Sequence, residues 1–424
     1  MVYNESKYNK NWKTMKLSDL GEFARGKSTH RPRNDKNLFE GGGYPLVQTG
    51  EIKEANLYIT HHTQEYGEFG LQQSKLWDAE TLCITIAANI AETALLAYPM
   101  CFPDSVVGFK AYKEVSSEKF MYYVFDFIRT SIQNAASGST QDNINIDYLT
   151  SLDFKVPDKI AQDKMVELLS AIDEKILMNS KINDNLEQQL TTLYDYWFTQ
   201  FDFPNENGKP YQSSGGKMVM NNCLKKKIPN GWNVESVYSN QLSSIIKPGV
   251  DKFDTKTYFA TADIKGTSLS SGTLIDYENR ENRANMQPNV NSVWFAKMKN
   301  SIKHFYLNEE MLPIISSSIL STGFCGLQCS DVSFEYMASY ISNTYFETHK
   351  DMLAHGATQE AVNNDDLAGI HIVIPDDKTL QNYHRITQPI YSQISKNICE
   401  NQELVKIRDW LLPMLMNGQA TISD

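Results

Sequence analysis

Two long stretches of the chain place apolar residues at helical intervals. After Pro157, the residues Met165, Leu169, Ile172, Ile176, Asn179, Asn183, Leu186, Leu190, Leu193 and Trp197 recur at alternating steps of four and three. That spacing is the seam of a coiled coil, a narrow stripe that faces a partner helix. About 35 residues at a rise of 1.5 Å each predict a rod of roughly 50 Å. The pattern returns after Pro375 with Ile386, Ile390, Gln393, Asn397, Leu404, Ile407 and Leu411. Pro389 is expected to bend this second helix or to mark its first turn. Asparagine in the middle of a seam costs stability but fixes register and partner choice. A lone helix of this kind leaves its stripe uncovered. The economical arrangement packs the two helices on each other, antiparallel, with a globular unit at each end. The competing arrangement packs each helix on its own domain.

Ahead of each helix the period changes. "TLCITIAANI" (81–90) and "LDFKVPD" (152–158) read as strands, as do "LPIISSSIL" (312–320) and "IHIVIPD" (370–376). Turn signals such as "GGGYP" (41–45) and "KPGVD" (247–251) break these regions often. Both are therefore expected to be mixed α and β structure.

The two regions are copies. "SGSTQDNINIDYLTSLDFKVPD" begins at Ser137 and "HGATQEAVNNDDLAGIHIVIPD" at His355, and they align without a gap at an offset of 218. Further upstream, "NWKTMKL" (11–17) answers "GWNVESV" (231–237), and "TGEIK" (49–53) answers "TADIK" (261–265). The order is the same in both halves: a Trp start, T-x-[ED]-I-K, apolar strands, G-[SA]-T-Q, a proline and a helix. This is a duplicated two-part unit and not an array of short repeats. The predicted class is α+β: two pseudo-repeated α/β domains, each followed by a long helix, with the helices in an antiparallel coiled coil.

Bulk properties narrow the chemistry. At 424 residues the chain can build a core in each of two domains. A hydrophobic content of 41% and a mean hydropathy of −0.43 describe a soluble globular protein. The opening residues have no apolar core, so no secretory leader is expected, and no apolar run is long enough to span a bilayer. The six cysteines are scattered without zinc spacing, which fits reduced thiols in the cytoplasm. A net charge of −11 argues against indiscriminate coating of nucleic acid, but a local basic surface can still read it. Basic clusters occur at residues 7–36, at Lys225, Lys226 and Lys227, and around Arg280, Arg283, Lys297, Lys299, Lys303 and His304.

The motifs of ordinary catalysis are missing. There is no Walker loop, dinucleotide fingerprint, H-E-x-x-H, G-x-S-x-G or C-x-x-C, and no N-P-P-Y of an amino-methyltransferase. One enzymatic reading remains. Glu51 with Lys53, and Asp263 with Lys265, have the acid-x-Lys spacing of Mg-dependent nucleases. That core also needs an upstream acid, and Asp35 is the nearest. A stand-alone Mg-dependent DNA nuclease is thus the alternative reading.

The segment 197–234, "WFTQFDFPNENGKPYQSSGGKMVMNNCLKKKIPNGWNV", together with the two G-[SA]-T-Q segments, resembles the specificity subunits of type I restriction-modification systems. The resemblance covers essentially the whole chain. It departs at the helix starts, where Ala161 and Leu380 stand in place of a frequent Glu, ahead of Gln162 and Gln381. It implies target recognition domains at 1–157 and 229–375, spacer helices at 158–204 and 376–424, and a linker at 205–228. Each domain would read one half of a split DNA target, and unlike domains imply an asymmetric one. The helices would set the gap and dock two methyltransferase subunits, and through them the restriction subunits. S-adenosylmethionine, ATP and Mg2+ would belong to those partners, with no cofactor on this chain and no membrane.

Residue chemistry then names candidates for DNA contact, since Arg and Lys suit guanine and phosphate while Asn and Gln suit adenine. In the first domain these are Lys27, Arg31, Arg33, Gln48 and Thr49. In the second they are Lys247, Lys265, Arg280 and Arg283. Thr140, Gln141, Thr358 and Gln359 belong to the segment that both halves share. A shared segment cannot distinguish unlike half-sites, so it is expected to touch phosphate or to close the turn between domain and helix. The spacer seam is expected to comprise Leu169, Ile172, Ile176, Asn179, Asn183, Leu186, Leu190 and Leu193 against Ile390, Asn397, Leu404, Ile407 and Leu411.

Overall fold

The computed structural model describes residues 2–137, 144, 146–265, 268–269 and 272–422. The described chain forms two compact units, Met1–Ile176 with Glu403–Asp424, and Leu177–Gln402. Both long helices, Lys159–Tyr194 and Asp377–Met416, contribute one part to each unit.

In the first unit an N-terminal strand, Lys13–Lys16, pairs antiparallel with Asp153–Val156, the strand read from "LDFKVPD". A five-stranded sheet is built around Leu82–Thr85 and Val106–Ala111, and a four-stranded sheet around Tyr44–Leu46 and Met100–Cys101. The helix Glu118–Ser137 covers the larger sheet with Phe120, Met121, Val124, Phe125 and Ile128, all buried. Its i, i+4 apolar spacing makes that face continuous. Pro157 ends the strand and Asp158 starts the long helix, its Oδ1 accepting the Ala161 N–H at 2.8 Å. This is N-capping by a carboxylate at a dipole-positive end. Gln162 is buried and bonded to Val115 O, Pro157 O and Ser116 Oγ.

The second unit repeats the plan. Asn233–Ser236 pairs antiparallel with His371–Ile374, Pro375 ends the strand, and Asp376 caps the long helix through Thr379 N–H at 2.9 Å. Two four-stranded sheets lie above a core that includes Trp294, Phe295, Phe305 and Phe324. Two expectations need correction here. "LPIISSSIL" is not one strand: Leu312–Ser317 is helical and only Ser318–Ser321 is a strand. Proline in the first turn pre-sets the helical φ at no cost in hydrogen bonds, and it decides the local structure. Pro389 does not start the second long helix, which begins at Asp377 where the cap lies, and Pro389 sits exposed inside it. Gln381 is exposed, unlike Gln162, because one extra residue after Pro375 turns it away from the domain.

The helices run antiparallel. In the first unit Leu169 and Met165 pack with Leu412, Leu415 and Met416, and Arg408 reaches Asp173 at 3.1 Å. In the second unit Asn179 Nδ2 donates to Glu400 and Asn401, and Asn397 Nδ2 donates to Asn183 Oδ1 at 2.8 Å. Of the expected seam, Leu169, Ile172, Asn179, Asn183, Leu190 and Asn397 are buried, and Ile176, Leu186, Leu193, Ile390, Leu404 and Leu411 half-buried. Ile386 and Ile407 are exposed, at 41% and 46%. The second helix instead buries Leu380, Tyr383, Thr387, Tyr391, Ile394 and Ile398. That face is broader because it packs on its own unit's core as well as on the first helix. Period alone identified a stripe but not which of two adjacent stripes turns inward.

Candidate nucleic-acid interface

A cleft of about 440 Å3 opens on the first unit, lined by Ser28, Arg33, Asn34, Phe39, Leu46, Gln48, Gln64, Tyr66 and Pro103. Leu46 and Tyr66 of this lining belong to a small apolar cluster with Leu38 and Cys101. The polar lining includes Arg33, and both Arg33 and the nearby Arg31 are pointed at Asp104. Arg33 Nη2 lies 2.7 Å from Asp104 Oδ1, and Arg31 Nη2 3.8 Å from Oδ2. Arg31 also donates to the carbonyls of Ser28 and His30. These are exposed pairs that add little stability. Their effect is to hold two guanidinium groups at the cleft, where phosphate or a guanine edge can compete for them. Lys27 is exposed nearby in sequence.

Gln48 and Thr49 stand where the strand Tyr44–Leu46 gives way to the short helix Thr49–Glu54. Glu51 holds this joint. Its Oε2 accepts the Gln48 N–H at 2.6 Å, and its Oε1 accepts the N–H and hydroxyl of Thr63 at 3.1 and 2.6 Å. In the second unit Asp263 Oδ2 accepts the Ala260 N–H at 2.8 Å. The acids of the acid-x-Lys motif are therefore caps that shape a loop, and the nuclease reading gains no support from them. Among the described residues no group of three or more His, Cys, Asp or Glu could hold a metal ion.

In the second unit Lys247 and Arg283 are exposed. Arg280 lies over the Tyr277 ring at 3.9 Å and donates to the Tyr277 carbonyl, so it is partly committed. The backbone of Lys265 belongs to a short hairpin with Ser268, and its side chain lies outside the described residues. Lys303 Nζ donates to the Thr261 carbonyl, which brings a cation to the T-A-D-I-K turn. Two other members of that basic cluster are taken up: Lys299 by Glu360 at 2.8 Å and His304 by Glu347 at 2.6 Å.

The shared segment is described only in the second unit, because Thr140 and Gln141 lie outside the described residues. There His355 and Ala361 exchange backbone hydrogen bonds and close a loop, with Thr358 and Gln359 exposed on it. Gly356 has φ +140°, and a Cβ on it would sit 2.3 Å from the Gln359 carbonyl oxygen, so this turn requires glycine. The loop base is tied to Lys297 and Lys299 by backbone bonds.

Sequence reading missed Gln64, Asn34 and Asp104. Asn34 carries no pattern beyond its place beside Arg33, Gln64 reaches the cleft through the pairing of Gln64–Tyr66 with Tyr44–Leu46, and Asp104 acts through its ion pairs with Arg31 and Arg33. Cys101, buried in the apolar cluster with Leu46 and Tyr66, carried no signal either. The basic cluster Lys225–Lys227 sits on a hairpin, Met218–Asn221 with Lys226–Pro229, where Lys226 Nζ lies over the Phe201 ring at 5.1 Å.

Residues 9–188 match the family described as the type I restriction modification DNA specificity domain. The chain is 25% identical to the type I restriction enzyme MjaIX specificity subunit of Methanocaldococcus jannaschii, over 98% of this chain and 95% of that one. It is 22% identical to the HindI specificity subunit of Haemophilus influenzae, over 68% of this chain and 73% of the relative. In fold it is similar to the crystal structure of a type I restriction-modification S subunit from M. genitalium, with a TM-score of 0.55 and 14% identity, covering 98% of this chain and 99% of that one. No helix among the described residues is long and apolar enough to cross a membrane. The duplicated unit, the Pro-Asp joint between strand and helix and these likenesses agree, and the chain is similar over nearly its whole length to type I restriction-modification specificity subunits.

Proposed function

We propose that the chain is the DNA-reading, non-catalytic subunit of a type I restriction-modification complex in the cytoplasm. Each unit reads one half of a split target in double-stranded DNA. The observation that carries this is one frame built twice with unlike side chains on it: the same capped turn follows Gln48 in one unit and Ala260 in the other. Unlike readers on like frames suit an asymmetric target, whereas identical readers would select a palindrome.

The long helices set the distance between half-sites and dock two methyltransferase subunits, and through them the restriction subunits. Their surfaces support this. Met178, Ile182 and Ile386 are exposed in the second unit, and Ile160, Leu168, Ile407 and Trp410 in the first. Apolar side chains of this size left open along a helix suit a protein partner. S-adenosylmethionine, ATP and Mg2+ are held by those partners and not by this chain. Adenine methylation and DNA cleavage are theirs as well.

The test is co-expression with the cognate methyltransferase subunit, followed by mapping of modified adenines across a host genome. A split motif with unlike halves is expected. A palindrome, or no motif, refutes the reading. Mg2+-dependent cutting by the purified chain alone would point to the nuclease alternative instead.

A further inference from the structure

We propose that Gln48 reads an adenine for the first unit, and that its place in the fold is a position at which the two units are made to differ. The inference rests on the DNA-specificity reading above and deepens it.

Gln48 and Ala260 occupy the same place on the same frame. Each follows a strand that pairs in parallel with a later one: Leu46 opposite Cys101, and Thr257–Phe259 opposite Ser318–Leu320. Each donates its N–H to an acidic side chain three residues on, at 2.6 and 2.8 Å. Each opens a short helical turn, Thr49–Glu54 or Thr261–Asp263. The backbone is thus held alike in both units while the side chain is free to vary.

The Gln48 amide stands exposed at the cleft and donates one hydrogen from Nε2 to Gln64 Oε1 at 3.0 Å. An amide nitrogen carries two hydrogens. The bond to Gln64 uses one of them. Oε1 and the second hydrogen remain side by side. That acceptor–donor pair matches the N6 amino group and N7 of adenine in the major groove. Gln64 acts as a positioning residue: it orients the reader without reading. Arg33, on the same cleft, supplies the positive charge that draws the duplex in. Ala260 has only a methyl group. It can lie against a thymine methyl but cannot reject a base by hydrogen bonding.

The experiment compares methylation maps of cells that express the methyltransferase subunit with the wild-type chain, Gln48→Ala or Gln48→Glu. In Gln48→Ala, one A·T position in one half of the motif becomes degenerate, with discrimination there falling roughly 5- to 150-fold, the range of one bidentate contact. The other half and the gap stay as they were. In Gln48→Glu the preference moves toward cytosine, whose N4 amino group donates to a carboxylate. This variant keeps the side chain's size and is informative even if Gln48→Ala lowers the yield. Unchanged motifs in both variants overturn the inference and leave the specificity reading intact. A wild-type chain that directs no split motif overturns that reading itself.

Discussion

The two units solve one problem in two chemistries. Each must pack two antiparallel helices and each keeps polar residues at the contact. In the first unit the contact is ionic: Arg408 Nη1 lies 3.1 Å from Asp173 Oδ1, and the Tyr123 hydroxyl donates to Asp173 Oδ2 at 2.7 Å. Burial pushes the Tyr123 hydroxyl's pKa up and the Asp173 charge pushes it further, so it remains a donor. In the second unit the buried contact is made of amides: Asn397 donates to Asn183, Gln393 donates to Asn397, and Asn179 donates to Asn401, with one further bond from Asn179 to the exposed Glu400 carboxylate. The ionic contact borrows Tyr123 from the recognition domain, which ties helix position to domain position. The amide contact closes almost entirely between the helices.

The joints that precede the domains differ too. In the second unit the chain runs on from the first helix through Phe201 and Phe203, and Phe203 stacks on Trp232 at 4.9 Å. In the first unit the equivalent joint is made by segments far apart in the chain. Asn4 Nδ2 donates to the Met416 carbonyl, 412 positions away, and to the Lys155 carbonyl. Gly418 lies against Trp12, where an added Cβ would stand 3.3 Å from the ring. One unit is closed by covalent continuity and the other by hydrogen bonds.

The largest expected effect breaks the ionic side of this comparison. Arg408→Ala leaves Asp173 buried with only Tyr123, and removing one partner of a buried pair costs about 3–5 kcal/mol. Hydrogen exchange should show lost protection in residues 159–176 and 403–416, while the second unit keeps its own. Asp173→Leu with Arg408→Met and Tyr123→Phe should recover most of the loss, because apolar groups of similar volume replace a buried pair well once the Tyr123 hydroxyl that donates to Asp173 is removed too. Equal loss in both units would show that the units do not differ in this way.

The amide side should be milder. Asn397→Ala leaves Asn183 Oδ1 without its donor inside the contact, at a cost of about 1–3 kcal/mol. Protection should fall in residues 177–194 and 377–402. Asn183→Leu with Asn397→Leu should restore stability, since removing both partners is nearly neutral. A loss as large as that of Arg408→Ala would erase the distinction between ionic and amide contacts.

These contacts also mark what the sequence could and could not disclose. The duplication, the Pro-Asp helix starts and the polar residues in the seam were all legible, because each is a local pattern with one physical meaning. Asn179, Asn183 and Asn397 stand at seam positions of the 3,4 pattern. Asp173 and Arg408 occupy no seam position in that pattern, and their pairing depends on the domain that supplies Tyr123. The cleft was half legible. Arg33 and Gln48 stood out by chemistry and by the T-x-[ED]-I-K repeat, while Gln64 arrives through strand pairing that no short window encodes and Asp104 through its ion pairs with Arg31 and Arg33.

The two helix caps separate the units at smaller cost. Asp376 accepts Thr379 N–H and Oγ1–H at 2.9 Å each and the Trp232 indole N–H at 2.8 Å, whereas Asp158 accepts Ala161 N–H. Asp376→Ala should cost about 1–2 kcal/mol and Asp158→Ala about 1, by urea unfolding followed through hydrogen exchange of each unit. Burial pushes the Asp376 carboxyl up, but the Thr379 N–H, the Trp232 indole and the Thr379 hydroxyl together hold it below its ordinary value of 3.8. A carboxyl lowered on folding contributes stability that is present above the unfolded value and lost as pH falls through the folded one. Acid titration below about pH 4 should therefore loosen the start of the second helix, and Asp376→Ala should flatten that dependence.

The smallest effect concerns the segment that the units share. Gln359 is exposed on a loop closed at its base by His355 and Ala361, so Gln359→Ala should leave stability within about 0.5 kcal/mol. If the loop touches phosphate, binding should weaken to a similar degree on every sequence, and the methylation motif should not change. Gly356→Ala is the contrast, because it forces a Cβ against the Gln359 carbonyl and should unsettle the loop itself. A Gln359→Ala map with an altered half-site would show that this common segment reads bases. It would then have to read the same base in both halves, and the two units would differ less than Gln48 and Ala260 do.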